Sequence, residues 1–107
     1  MSDALPSVSV IIPTLDEAER IARTLQSVRA CLPRAEVIVA DGGSRDTTVA
    51  LALVAGARVV PCARGRGLQC AAGADHARGE LLLFLHADTL LPPDAAGVLA
   101  RFFVRSD

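Results

Sequence analysis

Four short groups of residues in this chain have the types and spacings that hold ligands. Asp16-Glu17 ends the apolar run Val8-Ser9-Val10-Ile11-Ile12-Pro13-Thr14-Leu15. Asp41-Gly42-Gly43-Ser44 ends a second run, Val37-Ile38-Val39-Ala40, and His86-Ala87-Asp88 ends a third, Leu81-Leu82-Leu83-Phe84-Leu85. Between the second and third lies Ala63-Arg64-Gly65-Arg66-Gly67. Carboxylates accept hydrogen bonds from a base or ribose, and they ligate divalent cations that carry phosphates. Arg64 and Arg66, as guanidinium forks at the start of a helix, suit a phosphate contact. His86 and Asp88 stand one residue apart, so on an extended strand they point to one side. Together they could hold a divalent ion that also binds two phosphates. Asp41 precedes two glycines, which leave the backbone open to a close-approaching ligand.

Each group also has a plainer reading. Asp16-Glu17 can be helpful acids at a helix N-terminus. Asp41 can be a turn aspartate holding its own loop. Residues 64–67 can be a surface turn, and Asp88 can cap the Thr89 turn. Gly65-x-Gly67-x-x-Cys70 imitates a dinucleotide fingerprint, with Asp88 at about the right distance. The match is weak, because its third position is Cys and the strand before it is short and contains Pro61.

These groups need elements to position them. Short apolar runs followed by helical stretches read as parallel strands buried on both faces. Residues 8–12 form the first strand. A helix follows from Asp16 to Ala30, with Ile21, Leu25, Val28 and Leu32 at helical spacing, and Pro33 stops it. Glu36 to Ala40 is the second strand. A helix over Thr47 to Ala55, with Asp46 or Ser44 as N-cap, ends at Gly56. Ala57 to Pro61 is a short third strand, whose proline points to an edge or a strand end. Leu68 to Arg78 is a helix of small residues, closed by Gly79, that allows close approach to a sheet or a ligand. Glu80 to Leu85 is the fourth strand, with Phe84 and Leu85 burying the approach to His86. Pro92-Pro93-Asp94 opens a last helix over Ala95 to Val104. Strand and helix alternate four times, which implies an α/β fold of three layers, Rossmann-like, around a mostly parallel four-stranded sheet with right-handed crossovers. Ligands of such sheets bind outside the carboxyl ends of the strands.

Composition narrows the classes. The 107 residues suit one domain, and 51% are hydrophobic, enough for a core. No apolar run approaches the roughly 20 residues of a membrane span, and the N-terminus carries no signal-type pattern. Net charge is −1 with no basic tract, which gives nucleic-acid binding no support. All 11 basic residues are Arg, so side-chain phosphate contacts fall to planar forks. Cys31, Cys62 and Cys70 make no Cys-x-x-Cys pair; they read as free thiols of a reducing, cytoplasmic compartment rather than as a zinc site. With no Trp and no Tyr, a sugar-stacking platform cannot come from those residues.

Three segments together carry a family resemblance: Val10-Ile11-Ile12-Pro13-Thr14-Leu15-Asp16-Glu17, Val39-Ala40-Asp41-Gly42-Gly43-Ser44-Arg45-Asp46-Thr47-Thr48, and Gly79-Glu80-Leu81-Leu82-Leu83-Phe84-Leu85-His86-Ala87-Asp88. In this order and spacing the chain resembles the nucleotide-binding half of family 2 glycosyltransferases, inverting hexosyltransferase-class enzymes of the GT-A fold. The resemblance implies that Pro13 and Glu17 line the nucleoside pocket and that Asp41 accepts from the base with Ser44 nearby. It puts Arg64 and Arg66 near the diphosphate. Asp88 becomes the metal-binding acid of an Asp-x-Asp element whose first position is His86 here. A Mn or Mg ion is the implied cofactor, and imidazole suits the former better. The implied partner is a nucleotide-diphosphate sugar. Residues 1–107 then form a single donor-binding domain without the acceptor-binding half or a credible catalytic base, inactive alone. Apolar surface at Val98-Leu99-Phe102-Phe103 would favour a homodimer or larger assembly. The rivals are a non-catalytic binding or assembly module of the same fold, a nucleotidyltransferase, which would be expected to bring a Lys this chain lacks, and a dinucleotide oxidoreductase.

Overall fold

The computed structural model describes residues 6–102 of the chain. Its elements are β1 (Val8–Thr14), α1 (Ala18–Cys31), β2 (Glu36–Asp41), α2 (Thr48–Val54), β3 (Arg58–Pro61), α3 (Arg66–His76), β4 (Leu81–Phe84) and α4 (Ala95–Phe102). The strands form one sheet in the order β3-β2-β1-β4, and all three pairings are parallel. Ile11 stands between Ile38 on β2 and Phe84 on β4, so these three side chains share a face.

Alternation along the strands makes two cores. On one face Val8, Val10, Ile12, Val37 and Val39 meet Ile21, Leu25, Val28 and Leu32 of the α1 region, Ala52 of α2, and the partly buried Leu99 of α4. Full burial of each larger aliphatic side chain stabilises by about 1.5–3 kcal/mol, which is why the i, i+4, i+7 stripe of α1 fixes that helix to the sheet. On the other face Ile11, Ile38 and Val60 lie under Ala72, Ala74 and Ala77 of the α3 region. The architecture is therefore α/β/α, with α3 alone on its side. The small residues of α3 serve contact with the sheet: a Cβ at Gly73 would come 2.5 Å from Cγ2 of Ile11. A Cβ at Gly79 would lie 2.7 Å from the Ser9 backbone nitrogen, where the chain turns in beside β1.

Several boundaries differ from those expected. β1 runs on to Thr14, and α1 begins at Ala18 because Asp16 has φ 55 and cannot sit in a helix. α3 begins two residues early, at Arg66. Pro61 does end an edge strand. Phe84 does not bury the approach to the third motif: it is 49% exposed, and Leu82 beside it is 37% exposed. β4 is the other edge of the sheet, and α3 packs over β1, β2 and β3 instead. Leu85 is buried. The apolar surface expected on the last helix is also placed differently, since Leu99 packs on the core. The side chain of Phe102, and Phe103 altogether, lie outside the described residues.

Candidate functional site

After β1 the chain moves outward to β2 and β3, then crosses back to place β4 on the opposite side of β1. This reversal leaves a crevice at the carboxyl ends of β1 and β4, the position where open α/β sheets bind ligands. A cleft of about 340 Å³ lies there, lined by the β1 end (Pro13, Thr14, Leu15, Glu17), Arg20 of α1, Arg66 and Gln69 of α3, and the segment after β4 (His86, Ala87, Asp88).

Its charges are arranged in pairs. Oε1 of Glu17 accepts from Nε of Arg20 at 2.9 Å and lies 2.8 Å from Nη2. The hydrogen bond and charge of Glu17, with smaller effects of Glu19 and Asp88, raise the guanidinium pKa of Arg20 further. Nη1 of Arg66 lies 3.5 Å from Nε2 of His86. Gln69 is buried, and its Nε2 donates to the carbonyls of Thr14 (2.8 Å) and Ala40 (3.0 Å), while its Oε1 accepts from the Gly65 N–H at 3.1 Å. One amide thus ties both central strand ends to the glycine-rich loop.

A second network holds the turn that carries Glu17. The Asp16 N–H donates to Oγ of Ser44 at 2.8 Å, and Oδ1 of Asp16 accepts from the backbone of Arg45 and Asp46 at 2.8 and 3.3 Å. In return, Oδ2 of Asp46 accepts from the Ala18 N–H at 3.1 Å, and Oγ1 of Thr48 accepts from the Glu17 N–H at 2.8 Å. The loops after β1 and β2 therefore cap each other. Oδ1 of Asp46 takes both the hydroxyl and the N–H of Thr48, which holds its carboxyl below the usual range; the N-cap of α2 is nevertheless Thr47, not Asp46 or Ser44 as expected, and its own side chain makes no capping bond. The left-handed backbone at Asp16, uncommon outside glycine, is fixed by partners about thirty residues away in sequence.

The cleft brings together five residues singled out by the sequence: Pro13, Glu17, Arg66, His86 and Asp88. Asp41, Ser44 and Arg64 are not among its lining residues. Asp41 is 5% exposed and lies behind Thr14. Its Oδ1 accepts from Oγ1 of Thr14 (2.8 Å) and Oγ of Ser44 (2.5 Å), and its Oδ2 accepts from the N–H groups of Gly43 (3.1 Å) and Ser44 (2.8 Å). Burial alone would push this carboxyl up, but the bonds from Ser44, Thr14 and Gly43 outweigh it and hold it below the ordinary range. Four acceptor positions are thus filled from within the fold. The cleft also contains residues the sequence reading missed. Arg20 had a signal, because it stands three positions after Glu17 on a helix. Thr14 and Gln69 had none, since their roles exist only once β1, β2 and α3 are packed.

Cys31, Cys62 and Cys70 are free and half-buried. Burial, and then the charge of Asp41, raise the pKa of the Cys62 thiol and so disfavour its thiolate. His76 lies on the surface, its Nδ1 3.0 Å from the Ala72 carbonyl of its own helix. Among the described residues no three His, Cys, Asp or Glu side chains converge as a metal site. In the cleft Glu17 is paired with Arg20 and His86 faces Arg66, which leaves Asp88 as the carboxylate that fits a cation. One carboxylate fits a divalent ion only if the ligand brings further oxygens, as a diphosphate does.

The sequence model of glycosyl transferase family 2 matches residues 9–107. The glucosyl-3-phosphoglycerate synthase of Mycolicibacterium paratuberculosis is 32% identical over 97 residues, covering 80% of this chain and 30% of that protein. The crystal structure of glucosyl-3-phosphoglycerate synthase from Mycobacterium tuberculosis, in complex with Mn2+, uridine diphosphate and glucosyl-3-phosphoglycerate, superposes with a TM-score of 0.70 at 27% identity, over 77% of this chain and 33% of that one. S. aureus TarS, residues 1–349, shares the fold with a TM-score of 0.81 at 24% identity, over 90% of this chain and 32% of its own. The chain thus spans no more than about a third of the length of these relatives.

Proposed function

The chain belongs to glycosyl transferase family 2 and shares the GT-A fold, and from that premise we propose that it is the donor-binding part of an inverting glycosyltransferase, taking a nucleoside-diphosphate sugar into the cleft between β1 and β4. The observation that carries this reading is the convergence of Glu17, Arg66, His86 and Asp88 on one crevice from three separate stretches of sequence. In this reading Pro13 and Glu17 meet the nucleoside. Arg66, with Arg64 beside it in sequence, meets the diphosphate. Asp41 and Ser44 shape the nucleoside end from behind Thr14, to which Asp41 is hydrogen-bonded. The Glu17–Arg20 pair holds the cleft wall in place and keeps a second guanidinium at its rim. A divalent metal, manganese-type or magnesium, bound with the donor would offset charge on the departing diphosphate, and Asp88 is the residue placed to hold it. A solved Mycobacterium tuberculosis relative, in complex with Mn2+ and uridine diphosphate, supports a metal bound together with the donor.

Transfer also needs a base to take the acceptor proton. Glu17 is held by an arginine and Asp41 is enclosed, so this chain offers neither. The proposal is therefore donor binding without transfer by the 107 residues alone. A cytoplasmic location belongs to the same reading and is supported by the three free thiols. So does self-association, supported by the exposed Leu82 and Phe84 on an edge strand.

Titration of the isotope-labelled chain with uridine diphosphate and Mn2+, followed by amide NMR, tests the reading. The expected result is shifts concentrated at residues 13–17, 66–69 and 86–88, with no sugar released from uridine-diphosphate glucose. Shifts confined to other parts of the sheet, or measurable sugar transfer by this chain, would overturn it.

A further inference from the structure

We propose that Arg66 and His86 together form a direct grip on the diphosphate, and that this grip makes nucleoside-diphosphate binding by this chain independent of a divalent cation. The inference rests on the reading of the cleft as a nucleoside-diphosphate site. Nε2 of His86 lies 3.5 Å from Nη1 of Arg66. Arginine only donates, so a hydrogen bond between the two would use the lone pair of His86 Nε2. A metal ligated there would stand against a fixed positive charge. The position is suited to an anion instead: Arg66 keeps its remaining N–H groups, and the imidazole's other nitrogen adds a donor.

Two further observations put the anion at this place. Arg66 is the first residue of α3, an eleven-residue helix whose N-cap, Gly65, makes no side-chain capping bond, so its first-turn N–H groups lack that side-chain partner. A Cβ built at Gly67 meets nothing within 4 Å, which leaves open space beside that turn. Of the two carboxylates that line the cleft, Glu17 is already matched by Arg20, which leaves Asp88 as the charge that Arg66 and His86 must outweigh when a phosphate enters. A carboxylate in place of His86 would neutralise Arg66 by a salt bridge and require a metal to restore the positive charge. The imidazole leaves the guanidinium charge available.

Isothermal titration of the chain with uridine diphosphate, once in EDTA and once in Mn2+, tests this, with uridine as the phosphate-free probe. The expected result is affinities within about threefold of each other in the two buffers and at least tenfold weaker binding of uridine. Arg66→Gln should lose at least tenfold in EDTA, and Arg66→Lys, which keeps the charge and loses the fork, should lose most of the same amount. His86→Asp should make binding dependent on Mn2+. Uridine diphosphate that binds the native chain only with Mn2+ overturns the inference and leaves the donor-site reading standing. Absence of binding in both buffers overturns the donor-site reading itself.

Discussion

Asp41 shows how a single carboxylate can look like a ligand-binding group and serve as a structural hub. Its four internal hydrogen bonds join the ends of β1 and β2 to the loop at 43–44. Removing the acceptor strands buried donors, at about 1–3 kcal/mol for each group left unsatisfied. Asp41→Ala is therefore expected to lower unfolding free energy by about 2–4 kcal/mol in urea melts, and Asp41→Asn by less. The folded-state pKa of this group is depressed, so its stabilisation is complete above the ordinary aspartate value of about 3.9 and is lost as pH falls through the lower folded value. Urea melts of the native chain between pH 5 and pH 2.5 should show this acid loss, and Asp41→Asn should flatten it. The carboxylate was legible in the sequence as a strand-end acid. Its hold on its own loop at 43–44 was the plainer reading of the same residue; the bond from Thr14 was not legible, because it depends on which strand lies beside it.

At the scale of elements, the mutual capping of α1 and α2 and the close approach of α3 to the sheet set the cleft walls. Asp46→Ala removes the acceptor for Thr48 and for the first amide of α1. A cost of about 1–2 kcal/mol is expected from urea melts, with faster amide exchange at residues 16–18 as well as at 48. Exchange confined to α2 would argue against the reciprocal arrangement. Gly73→Ala gains helix propensity of up to about 1 kcal/mol yet drives a methyl into Cγ2 of Ile11, so a net loss of about 1–2 kcal/mol is expected, and Gly73→Ala should cost less in an Ile11→Ala background, which lacks that atom. The four strands and four helices followed from apolar runs, helical spacing and glycine or proline stops. The start of α1 did not, because Asp16, Glu17 and Glu19 read as a favourable first turn. A left-handed Asp16, bonded to Ser44 and the backbone at 45–46, ends that possibility.

For the whole molecule, the strand order decides what is covered. Nothing in Leu81-Leu82-Leu83-Phe84 says that it forms an edge; the run reads as a central strand, and only the order β3-β2-β1-β4 leaves Leu82 and Phe84 open. Sedimentation velocity should find the native chain as a dimer or larger, and Leu82→Ser combined with Phe84→Ser should shift it to monomer with the fold intact by circular dichroism. A native monomer across micromolar concentrations would remove self-association from the proposal.

The two margins of the sheet are unequal. β3 finishes in a proline that has no N–H for a further neighbour, whereas β4, which has no outer strand among the described residues, presents the exposed Leu82 and Phe84 and leads into the cleft residues at 86–88. Any polypeptide that adds a strand to this sheet is thus steered to the β4 flank, beside the residues that close the cleft.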